Sequence, residues 1–181
     1  MKGSNETYGA PEKIDVRGLR RVENQMQKWG ALIDIAVEGA VPDWGFFLLV
    51  LEYRGGGSSF VCGAPAPAEI IELCRRQGQR LRDNVESPGV EIKTYPGSHP
   101  EAIQEHQVEA LTESIPVLVQ VLRRELPRGW GFGLMIYARN SDQVVYVSTG
   151  EREDMATALL EFADRMEAGE LRGPGVVGTA H

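Results

Sequence analysis

The sequence predicts an α+β fold: tandem αββα repeats, related by a pseudo-twofold axis, that form one four-stranded antiparallel sheet with flanking helices. Two observations lead to this prediction. The stretch "VPDWGFFLLVLEY" from Val41 is repeated in similar form as "LPRGWGFGLMIYA" from Leu126. Each stretch is preceded by the pattern of an amphipathic helix and followed by a second strand and a second helix. Because a two-stranded hairpin is only marginally stable alone, pairing two hairpins in one sheet gives a reason for carrying both.

The two copies align at a nearly constant spacing. At an offset of 86 residues the matched pairs are Trp44 with Trp130, Gly45 with Gly131, Phe46 with Phe132, Leu48 with Leu134, Phe60 with Tyr146 and Val61 with Val147. Before the tryptophan, and again in the last helix, the offset is 85, so the second copy holds one extra residue, Gly129, ahead of its Trp-Gly. A repeat of this length indicates duplication and constrains the fold before any local assignment is made.

The first copy begins with an apolar stripe at spacings of three and four, which predicts an amphipathic helix that ends before Pro42. The stripe consists of Leu19, Val22, Met26, Trp29, Ile33, Ala36 and Ala40. The following "GFFLLVLEY" is apolar on both faces, which predicts a central strand covered on both sides. The Gly-rich "RGGGSS" suits a hairpin turn, "SFVC" is the return strand, and Pro67 suits the first turn of the next helix.

The second copy repeats this pattern. Ser98 and Glu101 form a capping box that predicts a helix start, with Pro100 in its first turn. The helix stripe keeps its phase across Pro116, so we expect one kinked helix; the stripe consists of Val108, Leu111, Ile115, Leu118 and Leu122. The strands are "WGFGLMIYA" and "QVVYVS", joined by "RNSD". A second capping box, Ser148 with Glu151, opens a helix whose apolar face holds Met155, Leu159, Phe162 and Met166.

These assignments divide the chain into five segments. They are a disordered N-terminus (1–14), the first αββα copy (15–84), a linker (85–97), the second αββα copy (98–168) and a disordered tail (169–181). The linker is rich in Pro and Gly and includes a candidate short strand at Val90–Tyr95.

Composition argues against several classes of protein. The net charge is −7, of which −6 falls in residues 91–181, and this disfavours binding of nucleic acid by phosphate neutralisation. The chain has no apolar run of about 18 residues, which disfavours a membrane span. "MKGSNETYGAPEK" lacks the apolar core of a secretory signal, so we expect a cytoplasmic protein. Cys62 and Cys74 match neither a disulfide framework nor a metal motif, which favours structural cysteines and no cofactor.

Two motifs of the second copy, "LPRGWGFGLMIY" and "YVSTGEREDMATALLEFADRME", resemble a set of small uncharacterised proteins encoded by phages and prophages. Members of that set have an aliphatic-Pro-x-Gly-aromatic-Gly-Phe opening, a hairpin, and a Tyr-x-Ser-Asn-Ala turn before an Arg-Glu-Asp-Met helix start. Here the turn is Ser148-Thr149-Gly150, which departs from the Asn-Ala part of the pattern. The resemblance covers about 45 residues and implies a phage or prophage origin, with the host cytoplasm as location. No reaction is assigned to the set, so the resemblance implies no mechanism.

The three histidines are the first candidates for a catalytic base. His99 lies just before Pro100, His181 lies in the tail, and His106 lies on a helix beside Glu105 and Glu109. A solvated histidine explains each of them, and neither HExxH, GxSxG nor a phosphate-binding loop is present in the sequence. The sequence therefore favours a protein that is not an enzyme, with a small enzyme as the alternative.

Two places are candidates for ligand binding. The start of the fourth helix, "STGEREDM", offers backbone N–H groups that could hold a phosphate or carboxylate, with Thr149, Gly150 and Arg152 as the candidate residues. Plain capping is the alternative, because the acidic residues of this turn already complement the helix dipole. Trp44 and Trp130 stand at helix-to-strand corners, where they could stack on a flat ligand or seal the ends of the core.

Two charged surfaces are candidates for partner binding. Glu161, Asp164, Glu167 and Glu170 recur at spacings of three on the fourth helix, away from its apolar stripe. Such a row is either a solvated face or a surface that steers a basic partner. The basic cluster "CRRQGQRLR" that starts at Cys74 is either a solvated helix face or a site for phosphate or an acidic partner.

Together these observations predict a non-enzymatic binding protein: a phage or prophage accessory factor that engages a host or viral protein or sequesters a small ligand. A homodimer is compatible with the sequence. The alternative is a small nucleotide-acting enzyme with a phosphate site at the start of the fourth helix and His106 or Glu109 as its base.

Overall fold

The computed structural model describes residues 16–40, 44–53, 58–63, 67–83, 91–93, 105–138 and 144–171. Their elements are α1 (Val16–Ala40), β1 (Trp44–Glu52), β2 (Ser58–Gly63), α2 (Pro67–Arg82), β3 (Glu91–Lys93), α3 (Glu105–Glu125), β4 (Trp130–Ala138), β5 (Val144–Ser148) and α4 (Arg152–Glu167). The order αββα occurs twice, with β3 between the copies, as predicted. The two hairpin turns, most of both predicted disordered ends and the Ser98 capping box lie outside the described residues.

The strands form one antiparallel sheet with the order β2-β1-β4-β5-β3. The four hairpin strands are adjacent, with β1 and β4 side by side and β2 at one edge of the sheet, which confirms the predicted pairing of two hairpins. The fifth strand, β3, comes from the linker and pairs with β5 at Ile92 and Val145. Of the Val90–Tyr95 strand that the sequence suggested, Glu91–Lys93 is described, and the other residues lie outside the described part of the chain.

The strand register relates the two copies by a twofold rotation. Leu48 of β1 lies opposite Leu134 of β4, and these are the residues that the alignment treats as equivalent. Within the hairpins, Leu48 pairs with Val61 and Leu134 pairs with Val147, again at equivalent positions. The pseudo-twofold axis therefore passes between Leu48 and Leu134.

The sheet lies between two helical layers. Alternate side chains of β1 enter different cores: Phe46 and Leu48 pack with α1 and α3, whereas Phe47 and Leu49 pack with α2 and α4. All of β1 between Trp44 and Glu52 is buried. This confirms the prediction of a central strand covered on both faces, because both sets of side chains need an apolar neighbour.

The glycine of the repeated Trp-Gly makes room for a tyrosine in each copy. A Cβ atom on Gly45 would lie 2.8 Å from the Tyr137 ring, and one on Gly131 would lie 1.7 Å from Tyr53 Oη. Tyr137 lies opposite Gly45 on the neighbouring strand, and Tyr53 lies beside Gly131 near the start of β4. The repeat of glycine is thus explained by packing.

The helix starts differ in part from the predictions. Pro67 is the first residue of α2, and α3 continues through Pro116 as a single helix. The kink at Pro116 stays a prediction. The capping box at Ser148 is wrong: Ser148 ends β5, the N-cap of α4 is Glu151, and no side chain caps it. The reason is that the ladder continues beyond Ser148, since Thr149 N donates to Phe132 O at 3.0 Å.

Gly129, the extra residue of the second copy, has a left-handed backbone conformation with φ of +84°. Its carbonyl accepts a hydrogen bond from Tyr53 N at 3.0 Å, which joins the start of β4 to the end of β1. The turn is therefore anchored in a conformation that glycine adopts without a steric cost.

Replacing Gly129 by alanine is expected to lower the free energy of unfolding by about 1 kcal/mol, because a Cβ atom is disfavoured in the left-handed region. Nothing lies within 4 Å of the added Cβ, so no clash contributes to this cost. Urea unfolding of the two proteins measures the difference. Gly129→Asn should lose less, since asparagine tolerates this conformation. Equal stability of all three proteins would contradict the assignment.

A polar contact ties α1 to α3 at one end of their layer. Trp29 Nε1 donates to Glu125 Oε2 at 2.7 Å, and Lys28 Nζ donates to Glu125 Oε1 at 2.9 Å. These hydrogen bonds hold the pKa of Glu125 below its usual range, and the bond from Lys28 has the larger effect. The contact also satisfies the indole N–H of Trp29, which is buried in the core.

The contribution of Glu125 to stability is expected to depend on pH. A carboxyl group whose pKa is lower in the folded state contributes fully above its unfolded-state pKa of about 4.3 and loses that contribution as pH falls through the folded-state value. Glu125→Gln should cost about 1 kcal/mol at neutral pH, and the difference from wild type should shrink as the solution is acidified. Urea unfolding at a series of pH values measures it. A difference that is constant with pH would refute the role of the carboxylate charge.

Among the described residues, no helix combines the length and apolar character that a bilayer crossing requires.

Both cysteines are buried and carry free thiols. Burial raises the pKa of Cys62 to about 11, and the pKa of Cys74 is raised further, first by burial and then by the nearby Cys62. Thiols of this kind are unreactive, as the interpretation of structural cysteines requires.

Candidate functional site

The two candidate tryptophans lie at opposite ends of the β1–β4 ladder. Trp44 pairs with Ala138 and Trp130 pairs with Glu52, eight residues apart along the strand, or about 27 Å. Trp130 is only 6% exposed in the core under α1 and α3, and Trp44 is half-buried against the same core. A flat ligand could not reach both rings, and the geometry favours sealing of the core over stacking. The indole Nε1 of Trp130 is buried without a hydrogen-bond partner.

Thr149 is held against β4 by its backbone and its side chain. Besides the backbone bond to Phe132, its Oγ1 accepts a hydrogen bond from Phe132 N at 3.0 Å. Tyr53 Oη lies 3.3 Å from the same oxygen. Gly150 follows directly, and a Cβ there would lie 2.8 Å from Met155 Sδ and 3.3 Å from Tyr53 Cε1. These contacts make a tight corner in which the Thr149 hydroxyl already serves the fold.

Arg152 is turned to a structural contact. Its Nε donates to the carbonyl oxygen of Leu81 at 2.8 Å, near the C-terminal end of α2. A cation at this position compensates carbonyl groups that the helix leaves without an internal partner. The arginine thus links α2 to α4. Its side chain contacts α2, whereas the sequence had suggested that it would contact an anion bound at the start of α4.

The predicted acidic row on α4 is divided by ion pairs. Asp164 and Glu167 both bind the guanidinium of Arg75, which belongs to the predicted basic cluster on α2. These bonds raise the pKa of Arg75 and lower that of Glu167. The prediction was wrong to place Glu170 on this helix, because α4 ends at Glu167; the carboxylate of Glu170 lies 3.8 Å from Arg165. Three of the four residues are therefore neutralised in part by the protein itself, and the basic cluster in part as well.

Glu161 belongs to a different surface. It lines a depression with Glu52 and Arg165, between the second to fourth turns of α4 and strands β1 and β2. A second depression, which shares Glu52, is lined by Glu52, Tyr53, Arg128, Gly129, Thr149, Glu151 and Asp154. We call the two depressions together the corner groove.

The corner groove includes Thr149 from the predicted site and adds residues that the sequence did not single out. Tyr53 is 36% exposed and lines the second depression, next to Gly131 and Gly150. Only the pairing of β1 with β4 brings Tyr53 to these glycines, so no local motif could have revealed it. Asp154 was interpreted as a helix-dipole residue, and its role in the groove follows from the position of α4.

The charge of the groove is acidic. Its lining holds four carboxylates (Glu52, Glu151, Asp154 and Glu161) against two guanidinium groups (Arg128 and Arg165). One of these cations, Arg165, is shared with Glu170. An anion at the start of α4 would meet this negative field, which outweighs the favourable end of the helix dipole.

The described residues include no group of three or more His, Cys, Asp or Glu placed to hold a metal ion. The side chains of His106 and Glu109 lie outside the described part.

Comparison with known proteins gives no relatives: no family model, no curated protein and no solved structure matches this chain. The resemblance to phage-encoded proteins therefore stays a prediction from the sequence.

Proposed function

We propose that this protein acts by binding a protein partner, without catalysis, and that the corner groove receives a segment of that partner bearing lysine or arginine. The observation that carries the proposal is the composition of the groove: exposed carboxylates along Glu151, Asp154 and Glu161 beside the half-exposed ring of Tyr53. Carboxylates pair with ammonium and guanidinium groups, and a tyrosine face also attracts cations. In line with the sequence resemblance, the partner would be a host or viral protein.

The spacing on α4 supports an extended recognition surface. Asp154, Ala158 and Glu161 follow each other at intervals of four and three residues, so they share one side of the helix. All three line the groove. A partner segment along this side would meet acidic groups over about two turns of helix, or roughly 10 Å.

The proposal is tested by binding of defined peptides. Labelled oligolysine and oligoarginine peptides, with oligoglutamate for comparison, are titrated with wild type and with Asp154→Lys/Glu161→Lys while fluorescence anisotropy is followed. We expect wild type to bind the basic peptides more weakly as salt rises, because exposed charges are screened over about 10 Å at 0.1 M salt. The double variant should lose this binding.

The matched control is Glu23→Lys/Glu72→Lys, which makes the same change in net charge at exposed positions on α1 and α2. It should bind like wild type. If both double variants lose binding equally, the interaction depends on net charge alone and the groove is not the site. A pull-down from host lysate with the same three proteins then reports whether a natural partner follows the same order.

The alternative, a nucleotide-acting enzyme, has less support because Arg152 binds Leu81 and the groove is acidic. A panel of nucleotides distinguishes the two functions, since a ligand that binds the folded state raises the melting temperature. We expect no shift for any nucleotide. A shift that Arg152→Ala abolishes would favour the alternative and call for a turnover assay.

A further inference from the structure

Helices α1 and α3 form the outer layer on the face of the sheet opposite the α2–α4 layer. Because β1 and β4 are antiparallel and each follows its helix, α1 and α3 run antiparallel as well. The contact between Lys28 and Glu125 fixes how they align. One turn further along α1 from Lys28 lies Leu32, and one turn back along α3 from Glu125 lies Val121, so these residues face each other across the seam.

The two helices obey the pseudo-twofold relation at the offset of 85 residues. Their buried positions match pair by pair: Met26 with Leu111, Ile33 with Leu118 and Val37 with Leu122. Asp34 and Val119 are equivalent at this offset. Because Lys28 lies beside Glu125, Asp34 and Val119 also lie opposite each other, so the pseudo-twofold axis passes between the two helices near these residues.

Exposed aliphatic side chains surround this axis. Leu32 is 39% exposed and Ile35 is 70% exposed on α1, and Val117 is 63% exposed on α3. Leu32 and Val117 are equivalent by the offset of 85. The apolar surface is therefore centred on the axis and points away from the sheet, where the fold does not bury it.

Charges of opposite sign stand at the two ends of this layer. Lys28 of α1 is equivalent to Glu113 of α3, and Glu38 of α1 is equivalent to Arg123 of α3. All four are exposed. Because the helices are antiparallel, Lys28, Arg123 and the neighbouring exposed Arg124 fall at one end of the side-by-side stretch, and Glu38 and Glu113 fall at the other. Glu125 pairs with Lys28 at the first end, so the positive charge there rests on the two arginines. The surface thus has an apolar centre, a basic end and an acidic end.

We infer that the α1–α3 layer is an interface with a second copy of this chain. A surface with this pattern complements itself: a copy turned by 180° about an axis that lies in the plane of the layer, perpendicular to the helices, brings apolar centre to apolar centre and each basic end to the partner's acidic end. Such an isologous contact closes as a dimer. On this alignment α1 and α3 lie side by side over Lys28–Ala40 and Glu113–Glu125, which is about 20 Å of helix and about 20 Å across the pair, or roughly 400 Å². This is about half of the roughly 800 Å² per partner of a standard interface, so the expected dimer is a weak one. The corner groove lies on the other side of the sheet and stays open.

Sedimentation equilibrium over micromolar to near-millimolar concentrations tests the inference. Wild type is expected to be a dimer, and Ile35→Glu/Val117→Glu to be a monomer, because two charges would enter the apolar centre. Val16→Glu, a similar change at a valine that is 56% exposed near the start of α1, should leave the dimer intact. Circular dichroism and thermal unfolding establish that each variant is folded.

A charge exchange shows whether the partner is a second copy. The variant Glu38→Lys/Glu113→Lys turns the acidic end into a second basic end. The variant Arg123→Glu/Arg124→Glu replaces the arginines of the basic end by glutamates, so that neither end is basic. Each variant alone should dissociate at least about tenfold more readily than wild type, which corresponds to about 1.4 kcal/mol. An equimolar mixture should associate again as a heterodimer. A monomeric wild type, an oligomer larger than a dimer, or a mixture that does not associate would overturn the inference.

Discussion

Trp130→Ala is expected to lower the free energy of unfolding by about 3 kcal/mol, the cost of truncating a large aromatic side chain in a core. The ring is 6% exposed and packs in the core beneath α1 and α3, at the start of β4. Its removal leaves a cavity that the neighbouring strand and helices cannot fill without moving. The unpaired Nε1 is lost with the ring, which offsets a small part of the cost because no hydrogen bond is broken.

Trp44→Ala is the matched comparison, since Trp44 occupies the equivalent position but is only half-buried. It should cost clearly less than Trp130→Ala. Urea unfolding measures both variants. If Trp130→Ala kept the melting temperature of wild type and instead abolished binding of a ligand, the interpretation of a stacking residue would be correct and the sealing role wrong.

Phe47→Ala is expected to cost about 4 kcal/mol, the larger of the two effects. Phe47 is fully buried, and its ring lies 4.9 Å from the Phe162 ring and 6.2 Å from the Phe60 ring, centroid to centroid. It thereby joins β1 to β2 and α4 at once. Aromatic pairs of this kind add to the stabilisation that burial alone provides.

The control is Phe60→Ala, which removes the same side chain from the outer hairpin strand, where it is 8% exposed and contacts the same cluster. It should cost less, because the cavity opens nearer the edge of the sheet. Equilibrium unfolding in guanidinium chloride measures both. A loss of under about 1 kcal/mol for Phe47→Ala would mean that the surrounding core repacks, contrary to the close packing that we infer.

Position 47 also shows how the copies diverged while the fold was kept. Its equivalent in the second copy is Gly133, and a Cβ there would lie 2.5 Å from Met155 Cε. Met155 is equivalent to Ile70 at the offset of 85. A large ring in the first copy thus corresponds to a glycine in the second copy, where the missing side chain leaves room for the end of Met155.

The sequence alone determined the architecture. Two similar stretches, each framed by helical periodicity, were enough to predict the order αββα–αββα and the sharing of one sheet, because a hairpin alone leaves an apolar face exposed. Gly129 could be recognised as an inserted residue from the alignment. The left-handed turn it makes could not, because φ depends on the hydrogen bond from Tyr53, which is distant in the chain.

The tertiary structure decided the candidate sites. Arg152 and Asp164 were interpreted from their own helix, but each finds its partner on α2, and a pattern within one helix cannot reveal what a neighbouring helix supplies. The corner groove depends on the pairing of β1 with β4, which places Tyr53 beside residues about a hundred positions away. Periodicity encodes which side of an element is buried, whereas the side chains that meet at a site depend on register and on the packing of whole layers.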